Sequence, residues 1–249
     1  MVHTFRLLAA AAYALALPLL IVTAPVRWLA SDIAVYERGF RTYDAETRTG
    51  LPLAELDRAG RDIIDYFEND ARDLRIVVTV NGVEEPLYND RETAHMRDVK
   101  RLMWALYRVN EIALVVVLGY IALAVLWSRE RSVRGLATLS LAGLAAGGLV
   151  VGLIAAFALT GFDQAWTAFH EVAFRNDLWR LDPDTDRLIQ MFPEPFWQDV
   201  TYLAGGIMAA EALAVATLCA GYLLRTRSES GSVRGRAGTP AATTAPRGG

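Results

Sequence analysis

The sequence has 249 residues, of which 53% are hydrophobic and 21% are charged, and its formal net charge at pH 7 is −3. The apolar residues are concentrated in four long stretches that are almost free of charge, which argues against one or two ordinary soluble domains. The single cysteine, Cys219, excludes an internal disulfide and a metal site built from several thiolates.

Four membrane-spanning helices are predicted from these stretches. A helix rises about 1.5 Å per residue and a hydrocarbon core is about 30 Å thick, so a span needs roughly 20 apolar residues. The predicted spans are residues 1–30, 102–127, 135–162 and 201–224. Residues 1–30 also fit a cleaved signal peptide, but their apolar run is long for one, and a retained first span is expected.

Arginine predicts which connections lie in the cytoplasm, because short cytoplasmic loops carry an excess of Lys and Arg. Arg6 precedes the apolar run of the first span, which starts at Leu7, and further arginines occur in the connection 128–134 and in the tail 225–249. Both termini are therefore expected in the cytoplasm, and residues 31–101 and 163–200 are expected to be two extracytoplasmic segments. The tail is expected to be disordered, since Ser, Gly, Thr, Pro and Ala dominate it.

The first extracytoplasmic segment is predicted to form a small α+β insertion. Residues 53–67 carry apolar side chains at helical spacing, which is typical of an amphipathic helix. Residues 75–80 are predicted to form a strand, and Asn81 with Gly82 is a strong signal for a two-residue hairpin turn. The return strand, near residues 84–88, is short and is expected at a sheet edge.

A second helix is predicted to begin near Arg91, to be capped by Asn89 or Asp90, and to continue without a breaker into the second span. This helix carries His95. A straight helix would hold His95 on the order of 20 Å above Arg108, near the start of the apolar stretch. The helix must therefore tilt, kink or enter the bilayer early if His95 is to meet a lipid head group.

Glycines and one glutamate stand out within the spans. Gly143, Gly147, Gly148 and Gly152 form two interleaved GxxxG spacings in the third span, and such spacings let helix backbones approach closely. Packing within one bundle is expected, with dimerisation as the alternative. Glu211 is the formal charge deep in the fourth span, where it either has a function or pairs with a polar group of a neighbouring helix.

The second extracytoplasmic segment is predicted to form an aromatic-rich helical loop. Its rings can pack into a small core and can also lie at the head-group level, where amphipathic rings are favoured. The carboxylates between Asp182 and Asp186 are expected to cap turns and helices, because their spacing and the missing glycine do not fit an EF-hand. The aromatic residues are Trp166, Phe169, Phe174, Trp179, Phe192, Phe196 and Trp197.

Two histidines, His95 and His170, lie on different extracytoplasmic segments with acidic residues beside them. Histidine exchanges protons near neutral pH, and a carboxylate can fix its tautomer and raise its basicity. Glu92 and Asp98 lie about one helical turn from His95, and Glu171 follows His170. The residues alone leave two interpretations open: a shared acid–base site, or two unrelated surface histidines.

Three strings resemble a known bacterial family: residues 91–100 (RETAHMRDVK), residues 169–179 (FHEVAFRNDLW) and residues 182–194 (DPDTDRLIQMFPE). Together with the span layout, they are similar to four-span membrane proteins whose characterised members are lipoprotein intramolecular transacylases. The resemblance covers roughly residues 5–224 and leaves out the tail.

The resemblance implies a mainly α fold, in which a four-helix transmembrane bundle carries the α+β insertion between spans one and two and the helical loop between spans three and four. It implies a multi-pass protein of the bacterial plasma membrane. This protein would move an acyl chain within diacylglyceryl-modified lipoproteins, from the glycerol sn-2 oxygen to the amine of the N-terminal cysteine. Its partners would be lipoprotein N-termini and membrane lipids; no nucleic acid, cofactor or metal is expected.

The expected site uses the two histidines as general base and general acid, in an order that the sequence leaves open. Carboxylates would orient them, and arginines would contact the oxyanion or a phosphate, with solvated salt bridges as the alternative. Nucleophile and ester lie in one substrate molecule, so no enzyme nucleophile is needed. The candidate catalytic residues are His95, His170, Asp98, Glu92, Glu171, Arg91 and Arg175.

Two other functions remain open from the sequence. One is a non-enzymatic cell-envelope protein whose outer segments bind a ligand or a partner. The other is a zinc-dependent membrane hydrolase that uses the two histidines with a carboxylate. Replacement of both histidines by alanine would leave the first function intact, and metal analysis of the purified protein would reveal the second.

Overall fold

The computed structural model describes residues 2–80, 82–126 and 130–237. Among these residues, four helices are long and apolar enough to cross a membrane: the first, the fifth, the sixth and the ninth in chain order. The prediction of a mainly α, four-span membrane protein with a small α+β insertion is therefore confirmed. In chain order the elements are α1 (Val2–Ser31), α2 (Ile33–Thr42), α3 (Ala45–Thr49), α4 (Leu53–Glu68), β1 (Val77–Val80), β2 (Val83–Pro86), α5 (Asp90–Leu126), α6 (Glu130–Thr160), α7 (Phe162–Ala173), α8 (Arg187–Met191) and α9 (Glu194–Ala237).

The first helix is packed closely into the bundle by glycines of α6. A Cβ atom on Gly143 would lie 2.7 Å from the carbonyl oxygen of Ala14, and one on Gly147 would lie 2.3 Å from the Cβ of Pro18. Any side chain at these two positions would push α6 away from α1. These glycines therefore pack against α1 within one bundle, as the sequence predicts.

The segment from α2 to the first turns of α5 and the segment after α6 form one extramembrane domain, made of residues 32–100 and 161–200. Residues from both segments share one hydrophobic core, so both segments lie on the same side of the membrane. Phe196 approaches α2 so closely that its ring would lie 2.5 Å from a Cβ atom on Gly39. The most buried large side chains of this core are Tyr66, Phe40, Leu51, Leu56, Leu87, Met191 and Val78.

The insertion has the predicted order of helix, strand, turn and strand. Helix α4 buries one face of the predicted amphipathic helix, and β1 pairs with β2 in antiparallel register, with Val77 opposite Pro86. Gly82 has a φ of +81°, a backbone conformation that glycine adopts without strain in a tight turn. Asn81, the other residue of the predicted turn, lies outside the described residues.

A capping box fixes the start of α5. The side-chain oxygen of Asn89 accepts the backbone N–H of Glu92 at 3.0 Å, and the carboxylate of Glu92 accepts the backbone N–H of Asn89 at 2.8 Å. From there α5 runs as one helix past His95 and Arg108 into the membrane-spanning part. His95 therefore lies in the extramembrane part of α5, on the order of 20 Å along the helix axis before Arg108.

Helices α5, α6 and α9 extend beyond the apolar stretches. In place of the predicted loop at 128–134, α5 ends at Leu126 and α6 begins at Glu130, and residues 127–129 lie outside the described residues. Helix α9 continues past residue 224 to Ala237, and residues 238–249 of the tail lie outside the described residues. Apolar patterning marks only the part of a helix that crosses the bilayer, whereas polar residues such as Arg and Glu continue a helix readily beyond it.

Candidate functional site

His95 is buried in the extramembrane domain, with 7% of its surface exposed. The capping box at Asn89 sets the position of the first turns of α5, and the ring of His95 meets the ring of Phe174 edge-on, with 5.1 Å between centroids. Its Nδ1 atom is buried and has no hydrogen-bond partner among the described residues. Buried polar atoms are normally paired, so this nitrogen is available to a substrate group.

His170 is held in a defined orientation near the end of α7, also with 7% of its surface exposed. Its Nδ1 atom lies 2.8 Å from the backbone oxygen of Trp166, one helical turn earlier. A carbonyl oxygen only accepts, so Nδ1 carries the hydrogen and Nε2 is the proton acceptor of the neutral ring. The rings of Trp166 and Trp179 enclose the imidazole, at centroid distances of 4.5 and 4.9 Å.

The two histidines come together although 75 positions separate them in the sequence. Their ring centroids are 6.2 Å apart, and the ring of Phe174 lies beside both, 5.1 Å from His95 and 5.6 Å from His170. One histidine comes from each segment of the extramembrane domain. Both rings are buried, and the pair lies among the aromatic rings of Phe174, Trp166 and Trp179.

Burial keeps both imidazoles neutral at physiological pH. Burial lowers the pKa of His95 from 6.5 to about 4; the nearby His170 adds to this effect, and the charge of Asp98 opposes it. Burial also lowers the pKa of His170 below its usual value, against the hydrogen bond to the Trp166 carbonyl, which favours the protonated ring. A neutral imidazole can accept a proton, so each ring is in a state suited to acid–base chemistry.

Asp98 binds partners other than His95. Its Oδ2 atom accepts a hydrogen bond of 2.7 Å from the side-chain amide of Asn176, and its Oδ1 atom pairs with Arg101. Burial opposes the ionisation of Asp98, but these two partners outweigh it and hold the pKa of the carboxyl below its usual value. Asp98 therefore acts on His95 through its charge, and it ties α5 to the chain that follows α7.

Glu92 forms its hydrogen bonds with backbone groups rather than with His95, and these bonds join α5 to α8. With 1% of its surface exposed, its carboxylate accepts the backbone N–H of Leu188 at 2.6 Å as well as that of Asn89. Burial raises the pKa of Glu92, and these two hydrogen bonds partly counter the increase. The carboxylate thus ties the start of α5 to α8, in the other segment of the domain.

The remaining three candidates lie at the exposed rim of the site. Arg91 donates a hydrogen bond to the backbone oxygen of Asp177. The carboxylate of Glu171 pairs with the guanidinium of Arg180, at 3.7 Å, and not with His170. Arg175 and Glu171 line a shallow cavity of about 300 Å³ beside Phe174. Glu171 and Arg175 therefore line a cavity next to Phe174, and Arg91 ties α5 to the chain that follows α7.

Metal binding has no ready set of ligands here. Among the described residues, no group of three or more His, Cys, Asp or Glu side chains is arranged to hold a metal ion. The zinc-dependent alternative needs three protein ligands, and in the described parts of the chain the histidine pair has two.

A model of the family described as "Lipoprotein intramolecular transacylase Lit" matches residues 11–197, well over half of the chain. The chain belongs to this family. A search of curated proteins found no match. The match to the family model confirms the resemblance that the three strings indicated.

The Lit fold is shared with solved structures of the membrane integral lipoprotein intramolecular transacylase Lit from Bacillus cereus. One in meso structure is 19% identical, with a TM-score of 0.64, and the match covers 92% of this chain and 100% of that chain. Two structures of variants, in which a histidine is replaced by arginine or by alanine, are 17% and 16% identical, each with a TM-score of 0.68. Those matches cover 92% and 91% of this chain and 95% and 96% of those chains.

Three groups at the site of this Lit family member were not given these roles from the sequence. The backbone oxygen of Trp166 sets the tautomer of His170, the ring of Phe174 lies beside both histidine rings, and Asn176 binds Asp98. The spacing of four between Trp166 and His170 was a usable signal for the first, because a side chain can reach the carbonyl one turn earlier. The other two contacts join distant parts of the chain, and nothing local predicts them.

Proposed function

We propose that this protein moves the sn-2 acyl chain of a diacylglyceryl-cysteine lipoprotein onto the α-amine of the same cysteine. Membership of the lipoprotein intramolecular transacylase family supports the substrate class. The observation that carries the mechanism is the buried pair of His95 and His170, with ring centroids 6.2 Å apart and neutral rings. The pair supplies groups for acid–base catalysis. An intramolecular transfer does not need an enzyme nucleophile, because the attacking amine is part of the substrate.

The reaction forms one bond and breaks one bond. The α-ammonium group first loses a proton to solvent, and the neutral amine then attacks the sn-2 ester carbonyl carbon. The N–H proton made acidic by C–N bond formation passes to a base. When the C–O bond breaks, the glycerol oxygen takes that proton and becomes a hydroxyl. The products are an N-acyl cysteine and a lyso-glycerol on one molecule, and no other reactant is consumed.

His170 is suited to carry the proton. Its Nδ1–H is bound to the Trp166 carbonyl, so the free Nε2 takes the amine proton, and the carbonyl stabilises the imidazolium that forms. The same nitrogen returns the proton to the departing glycerol oxygen. His95 stays neutral because its pKa is about 4, and a neutral imidazole N–H donates a hydrogen bond to the developing oxyanion. Each histidine thus has a separate part in one transfer.

The extramembrane domain is proposed to face the extracytoplasmic side. Its two segments share one core and so must lie together, and each carries more acidic than basic residues. The short connection 128–134 and the tail 225–249, at the opposite ends of the spans, instead have an excess of arginine over acidic residues, which is typical of the cytoplasmic side. This orientation puts the N- and C-termini in the cytoplasm of a bacterial cell. It also places the histidine pair where the N-termini of exported, membrane-anchored lipoproteins are found.

Mass spectrometry of lipoprotein N-termini tests this function in a bacterial host that lacks the activity. Expression of the wild-type chain is expected to convert a diacylglyceryl lipoprotein into its N-acyl, lyso form, and H95A and H170A variants are expected to abolish the conversion at equal membrane abundance. His3 lies far from the site in sequence, so His3→Gln is the matched control and should retain the conversion. Unconverted lipoprotein in cells with abundant wild-type protein would contradict the proposal.

A further inference from the structure

Helix α7 has three sectors along its surface, and one of them is apolar and exposed. Residues three and four apart lie on the same side of a helix, so the sectors follow from the sequence and from the burial of each residue. One sector packs against the domain and α9, a second is exposed and polar, and the third is apolar. They contain, respectively, Phe162, Trp166 and His170; Asp163, Gln164, Thr167 and Glu171; and Ala165, Ala168, Phe169 and Val172.

At the outer end of α7, no part of the described chain covers the apolar sector. Val172 is 88% exposed and Phe169 is 45% exposed, on the helix that carries the buried His170. A single exposed valine needs no explanation, but here the apolar residues follow one another at spacings of three and four. This pattern is typical of a helix surface that contacts an apolar partner.

The position of α7 identifies hydrocarbon as that partner. Only Gly161 separates α7 from the membrane-spanning helix α6. The ring of Phe162 lies 6.3 Å from Tyr202 of α9, and Trp166 stacks on Trp197 at 5.1 Å. Aromatic rings of this kind favour the boundary between head groups and hydrocarbon. The apolar sector of α7 therefore begins directly after a membrane-spanning helix, and its residues carry no charge.

The same sector adjoins the histidine pair. The ring of Phe169 lies 5.2 Å from the ring of His170 and 5.6 Å from that of Trp166. Helix α7 therefore links the end of α6 to the site, and its exposed apolar side chains Phe169 and Val172 flank His170 in the sequence.

We propose, on the basis of the transacylase function proposed above, that the apolar sector of α7 binds the acyl chains of the substrate as its ester reaches His170. The substrate then arrives laterally from the outer leaflet, with its acyl chains along Val172 and Phe169 and its polar peptide in solvent. Contact with long chains lowers KM for a diacylglyceryl lipopeptide. It leaves the chemical step unchanged, because the acyl chains lie along this surface before and during the transfer.

Two exposed positions of α7 allow a matched test with purified protein in detergent. Val172→Asn removes apolar surface from the sector, and Thr167→Asn makes the same new side chain on the polar sector. With a dipalmitoyl lipopeptide, Val172→Asn should raise KM about tenfold, the effect of losing most of one valine contact, with kcat unchanged. Thr167→Asn should leave KM unchanged. With a dibutyryl lipopeptide, both variants should behave as the wild type. Equal effects on the two substrates, or no effect of Val172→Asn, would overturn the proposal.

A binding measurement separates this proposal from the transacylase function. A lipopeptide with a photoreactive group in one acyl chain should crosslink to residues 165–172, and unlabelled lipopeptide should suppress the crosslink while excess phosphatidylcholine should not. Crosslinks elsewhere, or equal suppression by phosphatidylcholine, would show that α7 contacts bulk lipid only and would overturn the proposal. Absence of N-acyl product from the wild-type protein would instead refute the proposed function, and the crosslinking result would stand independently.

Discussion

The titration of His95 provides a sharp test of the site as the structure describes it. Burial lowers the pKa of His95 from 6.5 to about 4, so the folded protein binds a proton at this ring less readily than the unfolded chain does. Protonation therefore costs stability. The contribution of His95 is complete above about pH 6.5, falls as the pH drops below that value, and is lost near pH 4 and below.

The size of this effect follows from the difference between the two pKa values. A shift of about 2.5 units corresponds to about 3 kcal/mol of unfolding free energy lost between neutral pH and pH 4. His170 acts in the same direction, because burial lowers its pKa too. A His95→Gln variant keeps the contribution of His170 and lacks that of His95. Its stability should therefore fall by about 3 kcal/mol less than that of the wild type over this range.

Histidine NMR in detergent micelles measures these values directly. The chain has three histidines, so selective labelling gives three ring signals, and the His3→Gln and His95→Gln variants assign them. The expected result is one signal that titrates near pH 4, one that titrates below 6.5, and the signal of His3. A His95 signal that titrates at or above pH 6.5 would refute the reasoning, because it would mean that the ring is solvated or paired with a carboxylate.

Substitutions at glycines of α6 and at Glu92 test the packing of the bundle and of the extramembrane domain. Gly147→Ala would place a Cβ atom 2.3 Å from Pro18 and should lower the unfolding free energy by about 1–3 kcal/mol. The control is Gly148→Ala, whose Cβ atom would have no atom within 4 Å and should leave the unfolding free energy nearly unchanged. Thermal unfolding in detergent compares the two variants, and equal melting temperatures would contradict the packing. Glu92→Gln leaves one of two buried backbone N–H groups facing an amide donor and should cost about 1–3 kcal/mol in the same assay, with a wild-type melting curve as the contrary result.

The fold could be predicted further than the site. The four apolar stretches, the amphipathic helix α4 and the cap at Asn89 all depend on residues close in sequence, and local patterns were sufficient for them. Which glycines of α6 meet α1 depends on how the helices are rotated. Both interleaved spacings fit the pattern, and only the structure shows that Gly143 and Gly147 face α1.

The site required contacts that no local pattern contains. The sequence placed both histidines on extramembrane segments, but their meeting depends on α7 folding back beside α5 directly after α6. The acidic neighbours show the same limit. Glu92 and Asp98 lie one turn from His95 and were expected to orient it, yet their hydrogen bonds go to Leu188 and Asn176. Spacing along a helix identifies possible partners, and tertiary packing selects among them.

Isotope tracing in a single substrate molecule tests the central claim most directly. A lipopeptide with a labelled sn-2 acyl chain is mixed with purified wild-type protein and an excess of unlabelled diacyl lipid, and the product is sequenced by mass spectrometry. The account predicts that the labelled acyl chain moves from the sn-2 oxygen to the cysteine nitrogen, without dilution by acyl chains of the unlabelled lipid. It also predicts that H170A stops the transfer. Unlabelled acyl chain on the nitrogen, or full transfer by the H170A variant, would contradict an intramolecular transfer that depends on the histidine pair.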